Sequence, residues 1–364
     1  MDDEARDTGG LGPAFDQTRN FRGRRGRGPY SRYGRDQGEP RTTYAALDLG
    51  TNNCRLLVAR PAGNGFRVID AFSRIIRLGE GISASGRISD AAIERAVSAL
   101  SVCRDKMRQR NAGRARLIAT EACRAAENGD EFRARISAEV GLDLEIVDRE
   151  TEAGLAANGC TPLIDPEVDD VILFDIGGGS SELVHLGRCL PARRGPPRPS
   201  IKGWVSIPVG VVTLAERHGG VTVSRDSFEA MIKEVAERIA DFAAVHGNGL
   251  ARMHMLGTSG TVTTIAGVHL ELPRYERRRV DGCWLVDSQV TEVVERLLAM
   301  SYEGRVANPC IGSERADLVL AGCAILEAIR RAFPCERLRV ADRGLREGML
   351  VEMMRADGAW DDHR

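Results

Sequence analysis

Phe174-Asp175-Ile176-Gly177-Gly178-Gly179-Ser180-Ser181-Glu182 sits between two apolar runs, residues 170–174 and 183–186. An aspartate closes the first run, a glycine and serine turn follows, and a second extended run leads away. Residues 170–175 and 181–186 therefore read as two strands joined by a tight turn. Glycine lets the backbone approach a ligand and take positive φ. Successive N–H groups in such a turn form a nest for anions. A neighbouring aspartate can hold Mg2+, usually through water, against the same phosphates.

Outward from this segment the same device occurs once more, earlier in the chain, at Leu47-Asp48-Leu49-Gly50-Thr51-Asn52-Asn53-Cys54-Arg55. One such turn could be an ordinary hairpin; two, each with its aspartate in the same place, point to paired phosphate loops. Neither is a P-loop, which needs Gly-Lys-Ser/Thr before a helix. Neither is the dinucleotide fingerprint, because a strand follows the turn rather than a helix. A third segment, Leu256-Gly257-Thr258-Ser259-Gly260-Thr261, stands between a strand and a helix. There a phosphate contact at a helix N-terminus and a plain strand-to-helix turn are both open readings.

Around the first turn, strands are expected at 44–49, 55–60 and 66–78. A helix follows from an N-cap at Ser89 with apolar residues at Ile93, Val97, Leu100 and Met107. Then come a strand at 116–119, a helix at 130–140 ending at Gly141, a strand at 144–147 and a helix over about 151–158. Around the second turn the order restarts. Residues 188–202, rich in proline and arginine, read as an extended hairpin loop before a strand at 204–208. Helices are expected at about 210–217, 223–246, 259–267, 287–300, 313–332 and 345–354, with strands at 253–256 and 338–340. Two similar α/β halves would face each other across a cleft lined by the glycine turns.

The bulk composition suits this. A chain of 364 residues with 43% hydrophobic and 28% charged residues is of the soluble globular class and long enough for two domains. No apolar run is long enough for a membrane helix, and the first 40 residues carry no apolar signal core, so a cytoplasmic location is expected. Nine scattered cysteines form no C-x-x-C pair, and the histidines show no ligand spacing. The net charge of −1 gives no general attraction to nucleic acid. Residues 1–42 differ from the rest. Seven arginines fall within 19–35 with no acid among them, interleaved with Phe21, Tyr30 and Tyr33. This tail is expected to be disordered, with a weak polyanion or RNA contact as its functional reading.

Taken together, DLGTNNCRLLVA at 48–59, RLGEGISASGRIS at 77–89, ATEACRAAENGDEF at 119–132, ETEAG at 150–154, DIGGGSSELV at 175–184, PVGVVTLAE at 208–216, LGTSGT at 256–261 and ADRGLREGML at 341–350 resemble the exopolyphosphatase/guanosine pentaphosphatase (Ppx/GppA) family. That family is a branch of the actin-like ATPase superfamily, and the resemblance spans about 43–355. It implies an α/β chain of two actin-like (RNase H-like) domains with mixed sheets flanked by helices and an active site in the cleft. The domains expected are 43–160, with the helix 344–355 packed on it, and 161–343; residues 356–364 would be a flexible end.

The resemblance also implies roles. Glu152 matches the glutamate that acts as general base on the attacking water. Asp175 matches a residue placing metal and water, Glu182 a second metal-site carboxylate, and Arg124 an arginine facing the phosphates. Gly50, Thr51, Asn52, Asn53 and Arg55 match the first phosphate loop; Gly177, Gly178, Gly179, Ser180 and Ser181 match the second. The first loop departs from the usual G-S-N-S-x-R, but its asparagine amides can still donate to phosphate.

The expected activity is release of terminal phosphate from inorganic polyphosphate, with Mg2+ held at Asp48, Asp175 and Glu182. Positioning, charge neutralisation and a carboxylate-activated water carry that chemistry. Alternatives are hydrolysis of guanosine pentaphosphate, an ATP-using kinase or ATPase with a nucleoside pocket near 257–261, and a non-catalytic polyanion or alarmone sensor. A homodimer is compatible with the family.

Overall fold

The computed structural model describes residues 42–361 apart from 193 and 251. The expectations for the arginine-rich tail and for residues 362–364 lie outside the described residues.

From the N-terminal end, β1 (Tyr44–Leu49), β2 (Asn53–Ala62) and β3 (Gly65–Ile75) form an antiparallel meander. After α1 (Ile82–Ser85) and α2 (Asp90–Gln109), β4 (Arg114–Ala119) returns parallel to β1. Helices α3 (Glu121–Ala125) and α4 (Gly129–Val140), strand β5 (Glu145–Ile146) and helix α5 (Arg149–Cys160) follow. The plan then repeats with β6 (Asp170–Ile176), β7 (Ser181–Leu190) and β8 (Arg198–Ile207) as a second antiparallel meander. Helices α6 (Val211–His218) and α7 (Arg225–His246) lead to β9 (Met253–Thr258), parallel to β6, and then to α8 (Gly260–His269). The remaining elements are α9 (Arg277–Val280), β10 (Trp284–Val286), α10 (Asp287–Ala299), α11 (Tyr302–Ala307), α12 (Val319–Ala332), β11 (Arg337–Ala341) and α13 (Leu345–Ala356). The strand orders are β3-β2-β1-β4-β5 and β10-β11-β9-β6-β7-β8, so both sheets are mixed.

Both faces of each central strand are covered, and this is why β1 and β6 read as near-continuous apolar runs. Ala45, Leu47 and Leu49 pack toward α2 and α4, whereas Tyr44 and Ala46 pack toward α13. Ile172, Phe174 and Ile176 enter the core built with α7, α8, α10 and α12; Val171 and Leu173 face α5. Local signals set the helix ends. Ser89 Oγ accepts from Ala92 N at 3.3 Å and Asp148 Oδ1 from Thr151 N at 2.7 Å, and Gly141 closes α4 at φ +70°.

Helix α5 serves both sheets. Leu155 enters the core with α13, while Ala153, Ala157 and Cys160 enter the core against β6 and β7. It crosses α13 backbone to backbone: a Cβ on Gly159 would overlap Gly344 O, and one on Gly348 would overlap Leu155 O. Beyond α13, Trp360 Nε1 donates to Gly65 O at 2.8 Å, at the end the sequence marks as loose. Among the described residues no helix is long and apolar enough to cross a membrane.

The short elements α1, α3, α9, β10 and α11 were not expected, and two of the expected elements differ in extent. The hairpin loop expected over 188–202 is short, because β7 runs on to Leu190 and β8 starts at Arg198. Pro199 is tolerated there because β8 is an edge strand. The helix expected from 313 begins only at Val319. Gly312, at φ +73°, starts a run of turns that presents Arg315 toward α8.

Candidate active site

The two glycine turns are built alike. Asp48 pairs in register with Arg55, and Asp175 with Glu182. Gly50 N donates to Asn53 O at 2.9 Å, and Gly177 N donates to Ser180 O at 3.0 Å. They also meet. A Cβ on Gly178 would stand 3.0 Å from Thr51 Cβ, and one on Gly179 would stand 2.8 Å from Thr51 Oγ1. Only glycine permits this approach of one turn to the other. Behind the second turn, Val211 N and Val212 N at the start of α6 donate to Gly177 O and Gly178 O, both at 2.9 Å. On the far side of the meeting point, Arg77 forms a two-pronged bond to Asp317, at 3.0 and 3.2 Å, and Gly81 N donates to Glu216 Oε1 at 2.9 Å.

Four carboxylates share this gap. Burial raises Asp48 above its ordinary 3.8, against the pull of Arg55 and Arg346. Burial pushes Asp175 up to about 6, with Arg55 opposing and Asp48 adding to the rise. Glu152, in the first turn of α5, is pushed up to about 7 by burial; Arg124 opposes this, and Asp48 and Asp175 reinforce it. Glu182 is raised by burial and by Glu152 and Asp175, while accepting from Ser206 Oγ at 2.7 Å. Glu152 thus feels the charge of both aspartates, and Glu182 that of Glu152 and Asp175. Such clustering of perturbed carboxyl groups marks functional clefts.

Arg124 is largely committed to carboxylates rather than turned wholly to the gap. Its Nη2 donates to Glu152 Oε2 and to Glu121 Oε2, both at 2.8 Å; Nε donates to Glu121 Oε2 at 3.0 Å, and Nη1 to Val147 O at 2.7 Å. Two acids thus share the arginine that the resemblance has facing the phosphates. The hydroxyl of Ser181 is fully buried and donates to Val209 O at 2.7 Å, which braces the turn.

Three guanidinium groups at the site are not hydrogen-bonded to any carboxylate among the described residues: Arg55, Arg315 and Arg346. Arg55 acts electrostatically on Asp48, Asp175, Arg315 and Arg346. Arg315 Nη1 stands 3.6 Å from where a Cβ on Gly260 would sit, over the start of α8. The space a nucleoside pocket near 257–261 would need is thus faced by a cation. Gly257 itself is packed against Phe174 and Val262, with contacts of 2.6 and 2.7 Å for any added Cβ. Arg315, Arg346, Glu121 and Arg149 escaped the sequence reading, since each gains meaning only from residues far away in the chain.

The donor set suits a hard, hydrated cation. Among the described residues no three His, Cys, Asp or Glu side chains are placed to ligate one ion directly, so Asp48, Asp175 and Glu182 do not make a closed cage. Mg2+ commonly keeps several waters and uses few protein carboxylates plus phosphate. Asn52 Oδ1 and Asn53 Oδ1, in the first glycine turn, are buried acceptors with no partner, where bound water would donate.

The sequence profile of the Ppx/GppA phosphatase family matches residues 57–357. Exopolyphosphatase 2 of Mycobacterium tuberculosis is 27% identical, over 86% of this chain and 98% of its own length. The guanosine-5'-triphosphate,3'-diphosphate pyrophosphatase of Aeromonas salmonicida is 28% identical over 85% of this chain, which covers 59% of that protein. Among solved structures, the Ppx/GppA family member of Aquifex aeolicus superposes with a TM-score of 0.71 at 27% identity, covering 87% of this chain and 99% of that one.

Proposed function

This chain belongs to the Ppx/GppA phosphatase family and is a phosphoanhydride hydrolase, and from that premise we propose that it is an exopolyphosphatase, releasing terminal orthophosphate from inorganic polyphosphate. The observation that carries the reading is the meeting of the turns at Asp48 and Asp175 in one gap with Glu152.

The backbone N–H groups of Thr51–Asn53 and Gly178–Ser180 receive the phosphoryl oxygens, with Arg55 and Arg315 balancing the charge of the chain. Glu152 accepts a proton from the attacking water; a carboxylate held near 7 is matched to that task at neutral pH. Arg124 holds Glu152 in place. Asp48 and Asp175, backed by Glu182, would hold Mg2+ through water. When bound, that ion neutralises charge on the transferring phosphoryl group.

Guanosine pentaphosphate is the second reading, supported by the pyrophosphatase relative. The near-complete coverage of the exopolyphosphatase relative favours polyphosphate. Phosphate release from both compounds under Mg2+ decides: faster turnover of the nucleotide would reject polyphosphate as the substrate. Tight ADP binding by calorimetry would instead support the kinase alternative, against which Arg315 over the start of α8 argues.

A further inference from the structure

Glu121 is a buried acid beside the site that the proposed mechanism does not use. It is the first residue of α3, with its side chain 9% exposed, and it accepts four hydrogen bonds from two arginines. Arg124 Nε and Nη2 both converge on Glu121 Oε2. Arg149, in the first turn of α5, donates its Nη2 to Glu121 Oε1 at 2.8 Å and its Nε to Oε2 at 3.3 Å. The result is an alternating chain, Arg149–Glu121–Arg124–Glu152, bridging α3 and α5.

The geometry of that chain matters for the base. An arginine fork normally meets a carboxylate with two parallel bonds. Arg124 instead gives its fork to Glu121 and spares one N–H for Glu152 Oε2, at 2.8 Å. Among the described residues no donor reaches Glu152 Oε1. One oxygen of Glu152 is therefore anchored and the other is left for a water. Glu121 also touches the second glycine turn: a Cβ on Gly179 would stand 3.2 Å from Glu121 Cγ.

We propose that Glu121, clamped by Arg149, is a positioning residue: by occupying the fork of Arg124 it restricts that arginine to a single bond with Glu152 and keeps the second oxygen of Glu152 free to engage the attacking water. This rests on the assignment of Glu152 as general base. Without Glu121, the Arg124 fork closes on both oxygens of Glu152 and occupies the base.

The test uses E121Q and R149A in the full chain, with steady-state phosphate release from polyphosphate under Mg2+ and crystal structures of wild type and E121Q. E121Q should lower kcat by about ten- to a hundredfold, the range that misplacement of a reacting group produces. KM should stay within about threefold, because glutamine keeps the packing against Gly179 and removes no phosphate-binding group. R149A should lower kcat in the same direction but less. In an R124K background, where no fork remains, E121Q should add no further loss; a merely structural Glu121 would lower activity there too. The E121Q crystal structure should show Arg124 two-pronged on Glu152. A retained single bond from Arg124 to Glu152 overturns the inference whatever the substrate is. Full kcat in E121Q alongside an inactive E152Q overturns it while leaving the base assignment standing; a fully active E152Q removes the base assignment and the inference with it.

Discussion

Replacing Glu152 by glutamine should make the protein more stable and nearly inactive at once. Burial and the two neighbouring aspartates raise its carboxyl from 4.5 to about 7, despite Arg124. At 1.36 kcal/mol per pH unit, ionising this group in the folded state costs on the order of 3 kcal/mol at pH 7.5. The sign follows from proton counts. Between the ordinary value and about 7, the native state binds more protons than the unfolded chain, so stability falls as pH rises through that window. Glutamine cannot ionise, yet its amide oxygen can still accept from Arg124 Nη2. Metal-free E152Q should therefore resist urea more than wild type at pH 7.5, by roughly 2–3 kcal/mol, with the difference gone by about pH 4.5. Loss of a general base should lower the rate at least about 10²-fold in the same variant. Equal or lower stability of E152Q at pH 7.5, or an advantage independent of pH, would refute the account of a carboxylate ionised against its surroundings. Near-normal turnover would refute its role as base.

By the same electrostatics, Mg2+ should raise the melting temperature of the wild type at pH 7.5 and do so much less in D175N, by scanning calorimetry; an equal shift in both would place the ion elsewhere. R315A should raise KM for polyphosphate about ten- to a hundredfold at low salt, in the range of a lost charge-assisted bond, and the gap to wild type should narrow in added salt. D70N tests an unrelated pair of contacts. Lys106 and Arg110 hold Asp70 down at about 2, so its contribution is present above the ordinary 3.8 and lost as pH falls toward about 2. Because both partners are partly exposed, the variant should lose only about 1 kcal/mol at pH 7, measured by urea unfolding. G159A should destabilise by about 1–3 kcal/mol, since its new methyl has to displace the carbonyl of Gly344.

Those glycine turns and the order of strands were legible because both depend on short-range pattern. An aspartate at a strand end, followed by glycine and a second strand, constrains its own geometry whatever surrounds it. The helix start at Ser89 was legible for the same reason, being local capping chemistry, whereas the cap at Asp148 was not read and that helix was expected to start later, at about 151. What stayed hidden depends on distance in the chain. Glu121 and Arg149 make sense only when α3 and α5 lie side by side, 28 residues apart. Arg315 sat within an apparent helix, and the turns after Gly312 that redirect it leave little trace in the pattern of apolar residues. The inward turn of the Ser181 hydroxyl to Val209 O was hidden as well, because sequence records the side-chain type but not which face of the turn it takes.

The crossing of α5 and α13 has a mechanical meaning. With no side chain between Gly159 and Gly344, or between Gly348 and Leu155, the two rods touch at an axle where they cannot slide without collision. Glu152 stands in the first turn of α5, about two turns from Gly159, whereas Thr51 and Gly178 lie where the two glycine turns meet. A small rotation about that crossing would therefore move the glycine turns further than it moves Glu152, so the spacing of the turns and the setting of that carboxylate are mechanically separable.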